Sequence, residues 1–285
     1  MENLANLTIN RDQCIGCGKC IRTCPSGIFY LDEQKKAAHI EIKEFGWDGC
    51  WKCQHCLAVC PEGAISVLGK RPENSLLPPD KNKSGPVIDR LIANRRSHRR
   101  FVKKNVDPSL IRHILEVLQN APNGGNKSQV EYTLIDDIEQ MDIFRKLVYQ
   151  RMDQLAEQGI YAESFDETSY RQLKEAEKTV RPDMLFCSAP HLLIPHAPAE
   201  RGCWQQDTDI ACAYFELLCS AHGLGAVIMS YPVEVLKLMP DLREMLEIPE
   251  NHYFGMMAGF GFPEISYARG VQKEDELKVH RLCFT

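Results

Sequence analysis

The spacing of apolar residues divides the chain into a short front part with two-residue alternation and a longer back part dominated by helical periods. At the front, residues 4–10 (LANLTIN) alternate loosely and predict an edge strand. The runs SGIFYLD and AAHIEIK predict two more strands around a charged turn at 33–36. Residues 69–86 (GKRPENSLLPPDKNKSGP) show no period and have the proline-rich, polar composition of a linker. Beyond them VIDRLIANRRS predicts a helix with Ile88, Leu91 and Ile92 on one face. Asp107 and Pro108 supply an N-cap and a first helical residue. Leu110, Ile111, Ile114, Leu115 and Leu118 then recur at helical spacing up to Asn120.

The rest of the back part alternates strands with helices. Residues 130–136 (VEYTLID) predict a strand, 139–158 and 168–180 two charged amphipathic helices, and 191–195 (HLLIP) a short buried strand. The most apolar helix is expected at 207–222. Ile210, Ala211, Tyr214, Phe215, Leu217, Leu218 and Ala221 nearly encircle it, and Gly223 is placed just past its end. Apolarity on all sides implies deep burial or a subunit interface. Residues 226–230 and 253–261 predict the last strands, and the class is α+β. The expected organisation is a small domain over 1–68, a linker over 69–86 and a larger domain over 87–285.

Charge narrows the partners. The net charge is -5 and the basic residues do not form one long run, so nucleic-acid binding is disfavoured. The first residues, MENLANLTINRD, lack the charged and apolar regions of a signal peptide. No segment approaches the roughly 18 apolar residues of a membrane span. The expectation is a soluble, cytoplasmic protein without a membrane partner.

Cysteines change the picture most. The phrase CIGCGKCIRTCP is answered by CWKCQHCLAVCP at an offset of 36 residues, pairing Cys14 with Cys50 and Ile28 with Ala64. In each copy three cysteines stand two residues apart, a fourth follows after three more, and proline comes next. Three thiolates on a tight loop can take three corners of a cubane while the fourth faces away and serves the other cluster. That logic assigns Cys14, Cys17, Cys20 and Cys60 to one 4Fe-4S centre, and Cys50, Cys53, Cys56 and Cys24 to a second. Zinc also uses paired C-x-x-C units, but the doubled run exceeds what its four-ligand sites need. Trp47, Trp51 and His55 decorate the second loop, where packing or surface roles are expected because all eight cysteines are present. The remaining five of thirteen cysteines show no disulfide spacing, which fits a reducing compartment. The first 68 residues resemble bacterial-type ferredoxins, which implies a pseudo-symmetric unit of short strands and one-turn helices that carries single electrons.

Three phrases carry a second chemistry. RRSHRRF (95–101) offers several guanidinium forks and a hydroxyl, a set suited to a dianionic phosphate. APNGGNKSQ (121–129) combines adjacent glycines with amides able to donate and accept along a heterocycle edge. HGLGAVIMS follows the apolar helix, and its G-L-G lacks the third glycine and the preceding strand of a dinucleotide fingerprint. In this order the phrases resemble the FMN-dependent nitroreductase family over about residues 87–275. The resemblance implies that Arg95, Arg96, Ser97 and Arg99 hold the FMN phosphate and ribityl chain, and that Pro122 and Asn126 line the isoalloxazine. It implies backbone contacts from Gly223, Leu224 and Gly225, and closure on the phosphate by Arg269 or Lys273. Ser128 and Gln129 depart from the family's usual glutamine and proline. It further implies an α+β sandwich forming a homodimer with FMN in the subunit groove.

Together the halves predict an iron-sulfur flavoprotein oxidoreductase. An external low-potential donor would feed two 4Fe-4S clusters, then FMN, then a small organic substrate. An outward-running dehydrogenase and a relay or sensor without a substrate stay open. The charged helices at 139–180 are a candidate lid.

Overall fold

The computed structural model describes residues 4–46, 48–163, 165–176, 178, 183–200, 202–272 and 278–284. Trp47 and Lys273 lie outside the described residues. The chain forms two compact units, one of Met1–Asp80 with Pro122–Ser128, the other of Lys81–Ala121 with Gln129–Thr285. Among the described residues, no helix is long and apolar enough to cross a membrane.

The first unit is built around its cysteines. Strand β1 (Thr8–Ile9) is followed by helix α1 (Lys19–Thr23), strands β2 (Phe29–Leu31) and β3 (Ala37–His39), helix α2 (His55–Val59) and strand β4 (Ile65–Ser66). β1 pairs with β4 and β2 with β3, both antiparallel. The edge strand expected at 4–10 is thus confined to two residues. Ala5, Leu7, Ile28, Phe29, Ile42, Leu57, Ile65 and Val67 form a small apolar core that includes Cys14, Cys20 and Cys50. Gly16 is required here: its φ is +69, and a Cβ would sit 2.1 Å from the Lys35 carbonyl oxygen.

The second unit is a five-stranded antiparallel sheet covered on both faces. Helices α3 (Lys81–Asn94) and α4 (Pro108–Leu118) lead to strand β5 (Glu131–Ile135), then α5 (Ile138–Glu157), α6 (Glu167–Ala176) and β6 (His191–Pro198). Helix α7 (Trp204–Ala221), strand β7 (Gly225–Met229), helices α8 (Tyr231–Leu236) and α9 (Pro240–Met245), and strands β8 (His252–Tyr253) and β9 (Met257–Gly261) complete it. The order is β5-β6-β9-β7, with β8 also paired to β6. Alternation along β6 sends Leu192 and Ile194 into the core with α5, α8 and α9, while Leu193 joins α4 and α7 on the other face.

Local chemistry explains the clearest boundaries. Asp107 accepts a hydrogen bond from the Ser109 amide at 2.8 Å with Pro108 at the first turn, so α4 begins where its cap predicts. Asp137 caps α5 through the amides of Glu139 and Gln140. Differences from the sequence reading are equally physical. α3 starts at Lys81, inside the stretch read as linker, because Gly85 and Pro86, which read as breakers, are incorporated into the helix. The run 253–261 is two strands, because pairing with β6 is interrupted at 254–256 and resumes one residue out of register; at Gly255 a Cβ would lie 2.1 Å from the Tyr253 hydroxyl. α7 buries one face through Ala211, Cys212, Phe215 and Cys219, and leaves Tyr214 45% exposed.

Candidate cofactor sites

The repeat places its cysteines in two groups. Cys14, Cys17, Cys20 and Cys60 line one small cavity of about 20 Å³ together with Ile15, Ala37 and Ile65. Around Cys56, burial first and then the neighbouring Cys53, Cys50 and Cys24 push the thiol up to about 12. Each group takes its fourth member from the other loop. α1 and α2 pack together, and each starts from a left-handed residue, Gly18 or Gln54. Backbone amides point at sulfur in both halves: Ala37 N to Cys14 at 3.4 Å, Lys52 N to Cys50 at 3.4 Å and Ala64 N to Cys60 at 3.3 Å.

Such a donor set fits cubane iron-sulfur clusters. Buried thiols that repel one another as thiolates need a positive centre to share, and N–H···S contacts offset the remaining charge. His55 is exposed at the start of α2, a surface position as expected.

In the second unit the arginine-rich phrase 95–101 lies beside the turn after α7. Ser97 bridges to Ala226, and the His98 amide donates to the Ala226 carbonyl at 2.9 Å. Gly225 is needed for this approach, since a Cβ there would meet the His98 ring at 2.6 Å. The turn itself comprises Gly223, with a φ of +75, and buried Leu224. Ser97, His98, Arg99, Arg100, Ile265 and Tyr267 line a cavity of about 240 Å³, and burial pushes the His98 imidazole below its ordinary value. The late segment comes close as well, with a Gly270 Cβ position 2.9 Å from Asn94 Oδ1, although the Arg269 side chain is exposed.

The arginines are not equivalent. Arg95 Nη1 is paired with the buried Glu216 carboxylate at 2.8 Å. Arg96 gives Nη1 to the carbonyls of Ala93 and Arg95, whereas its Nε and Nη2 are buried and have no hydrogen-bond partner among the described residues. Two parallel N–H groups left open by a guanidinium match one edge of a phosphate. Arg99 is exposed and donates to the Ser97 carbonyl at 3.3 Å.

Pro122, Asn126 and Ser128 are grouped differently, with the cysteine unit. The Asn126 amide donates to the Trp51 carbonyl at 3.2 Å, next to Cys50. Gly125, Asn126 and Ser128 all have positive φ, a tight turn closed by Ser128 N on Asn123 Oδ1 at 2.9 Å.

A larger cavity of about 390 Å³ opens in the second unit between Arg99 and Arg100, the end of β7, Tyr231, and Phe165, Ser169 and Gln172 around α6. Its wall at 183–188 is held by a buried network the sequence did not reveal. Asp183 binds Arg145 Nε at 2.7 Å and the Tyr149 hydroxyl at 2.9 Å, and accepts from the amides of Phe186 and Ser188. Arg145 Nη2 also donates to the Ala189 carbonyl at 2.6 Å. No sequence signal marks these partners, because Asp183 lies 38 residues from Arg145 outside any periodic segment.

A cysteine-lined unit that fits iron-sulfur clusters, joined to a second α+β unit, marks an iron-sulfur protein. The chain belongs to the Nitroreductase family, whose model matches residues 92–262. It carries in addition a 4Fe-4S dicluster domain, matched over residues 13–64.

Solved structures agree on the fold. An FMN-dependent nitroreductase from Clostridium difficile R20291 is 21% identical with a TM-score of 0.52, covering 68% of this chain and 98% of its own. A nitroreductase with bound FMN from Desulfitobacterium hafniense DCB-2 is 21% identical with a TM-score of 0.54 and the same coverage. One from Bacteroides fragilis NCTC 9343, also with bound FMN, is 17% identical with a TM-score of 0.53. No curated protein sequence matches the chain.

Proposed function

We propose that this protein takes electrons from an external low-potential donor into two 4Fe-4S clusters and passes them through FMN to a small organic substrate. Membership of the nitroreductase family makes the back half an FMN-dependent oxidoreductase, and the front half is a two-cluster domain. FMN, when bound, supplies the chemistry that converts single-electron delivery into two-electron reduction of a substrate.

The residues of this chain bind and orient. Arg96 would hold the FMN phosphate through its two open N–H groups, and this is the observation that carries the flavin reading. Ser97 and Arg99 line the same side, and Arg269 or Lys273 would close on the phosphate. Gly223, Leu224 and Gly225 would meet the ring through their backbones, and Pro122, Asn126 and Ser128 remain proposed flavin contacts. Arg95 would act chiefly by pairing with Glu216 and fixing the start of the phrase. Cys14, Cys17, Cys20 and Cys60 would hold one cluster, and Cys50, Cys53, Cys56 and Cys24 the other.

The cavity beside α6 supports a substrate-reducing enzyme over a bare relay, since a relay has no need of a space of about 390 Å³ at its cofactor domain. α6 contributes to the roof of that cavity, in keeping with a lid role for part of 139–180. A homodimer is the proposed assembly: Val87, Ile88 and Ile92 on α3 and Tyr214 on α7 are exposed apolar positions suited to a second copy. A cytoplasmic location accords with the free thiols.

Anaerobic purification with iron and flavin counting tests the cofactor set, with about eight irons and one FMN per chain expected. Stopped-flow mixing with reduced ferredoxin or NADH tests direction. Fast reduction by ferredoxin alone is expected, and fast direct reduction by NADH would contradict the cluster route.

A further inference from the structure

We propose that Glu131, His196 and His252, none of them a proposed cofactor residue, form a site for one zinc-class divalent cation. Strand register brings them together. Glu131 is the direct cross-strand partner of His196 between β5 and β6. His252 on β8 pairs with Pro198, two residues along β6 from His196, so all three side chains share one face. A ligand atom of each lies within 4.8 Å of the other two.

The histidines are built in rather than incidental. His196 is 3% and His252 8% exposed, and their Nδ1 atoms face each other at 2.8 Å. The Thr133 hydroxyl donates to the Leu246 carbonyl at 3.0 Å, so it accepts from His196 Nε2 at 3.2 Å. That contact fixes the proton on Nε2 and leaves the His196 Nδ1 lone pair aimed at its neighbour, the outer-shell arrangement by which proteins orient metal-binding imidazoles. His252 then holds the one proton between the rings. When a cation enters, His252 shifts to the tautomer with its proton on Nε2, by exchange with water, and both Nδ1 lone pairs go to the metal.

Little movement is needed. Two imidazole nitrogens on a tetrahedral ion with bonds of about 2.0–2.1 Å lie about 3.3 Å apart, roughly half an ångström more than here. Two nitrogens and a carboxylate suit zinc among the available divalent cations. A cavity of about 540 Å³ lined by Glu131, Thr133, His196 and Glu247 provides an entry path and room for water as a fourth ligand. Arg243 sits nearby but is held by the carbonyls of Pro249, Glu250 and His252, and the Glu131 carboxylate opposes its charge. The ion would pin β5, β6 and β8 at the sheet edge.

The test titrates anaerobically purified, cofactor-loaded protein with Zn²⁺ against a chromophoric zinc chelator. Wild type should take up one ion per chain more than His252→Gln, in which affinity falls by about 100-fold or more. Glu131→Gln should lose about tenfold, and because Glu131 is exposed this variant carries the comparison if His252→Gln misfolds. X-ray absorption at the zinc edge should show nitrogen and oxygen neighbours at about 2.0–2.1 Å. Equal uptake by wild type and both variants, no uptake by wild type, or a sulfur shell at about 2.3 Å would overturn the assignment.

Discussion

The two units solve the problem of stability in opposite ways. Among its described residues the cysteine unit has four strands of two or three residues, two α-helices of five and two 3-10 turns of three, too little regular structure to bury much apolar surface. Its core includes the sulfur atoms themselves. The second unit buries Leu192, Ile194, Val227 and Met257 on one sheet face and Ile114, Leu193, Phe215 and Phe260 on the other. Inorganic clusters must organise the first, whereas side-chain packing suffices for the second. The difference teaches that loss of metal and loss of packing should damage different halves of the chain.

The largest effect should follow Cys56→Ala. Removing this ligand should lower the iron count from about eight to about four per chain, and hydrogen exchange should rise across residues 4–68 while β6, β7 and β9 stay protected. Phe215→Ala should do the reverse. Phe215 is 1% exposed and meets Phe260 edge-on at 5.1 Å, so its loss should cost about 3–5 kcal/mol in the denaturation of the second unit and leave iron content unchanged.

Arg96→Ala sharpens the contrast within the second unit, because its Nε and Nη2, which have no partner among the described residues, are the groups proposed to hold FMN. FMN retention should weaken by about 1–3 kcal/mol, read by flavin release on dilution, with an unchanged melting temperature of the flavin-free protein. Arg95→Ala should instead lower that melting temperature, since it strips the buried Glu216 of its partner.

The smallest effect is a pH dependence in the second unit. His191 is fully buried and its Nε2 accepts the Val106 amide at 3.1 Å. Burial holds its pKa below the usual imidazole value, so the unfolded chain binds the proton more readily. Its contribution is complete above about pH 6.5 and is lost as pH falls, by at most about 1.4 kcal/mol per pH unit. Urea midpoints at neutral and mildly acid pH should differ less in His191→Gln than in wild type.

How far each half was legible follows from the same contrast. Ligand spacing is a covalent property of the chain, so the 4Fe-4S dicluster domain could be read without knowing the fold. α4 was readable because its cap and apolar period agree, and α7 because its apolar stretch is long and ends at Gly223. α8 and α9, each of six residues, fell below the length at which periodicity speaks, although Pro232 and Pro240 mark their starts. The Asp183–Arg145 and His196–His252 pairs depend on strand and loop placement over long separations and left no trace in local pattern. The inequality of Arg95 and Arg96 was equally hidden, since it rests on Glu216, which is 121 residues away.

The central claim is that electrons cross from the cysteine unit to the flavin domain, and single-turnover reduction tests it most directly. Anaerobic protein holding both cofactors is mixed with two equivalents of a reduced one-electron ferredoxin, and cluster and flavin absorbance are followed together. The account predicts that the clusters are reduced first and reoxidised as the flavin bleaches, and that Cys17→Ala abolishes the second phase while keeping FMN bound. Clusters that stay reduced beside an oxidised flavin in the wild type would contradict it.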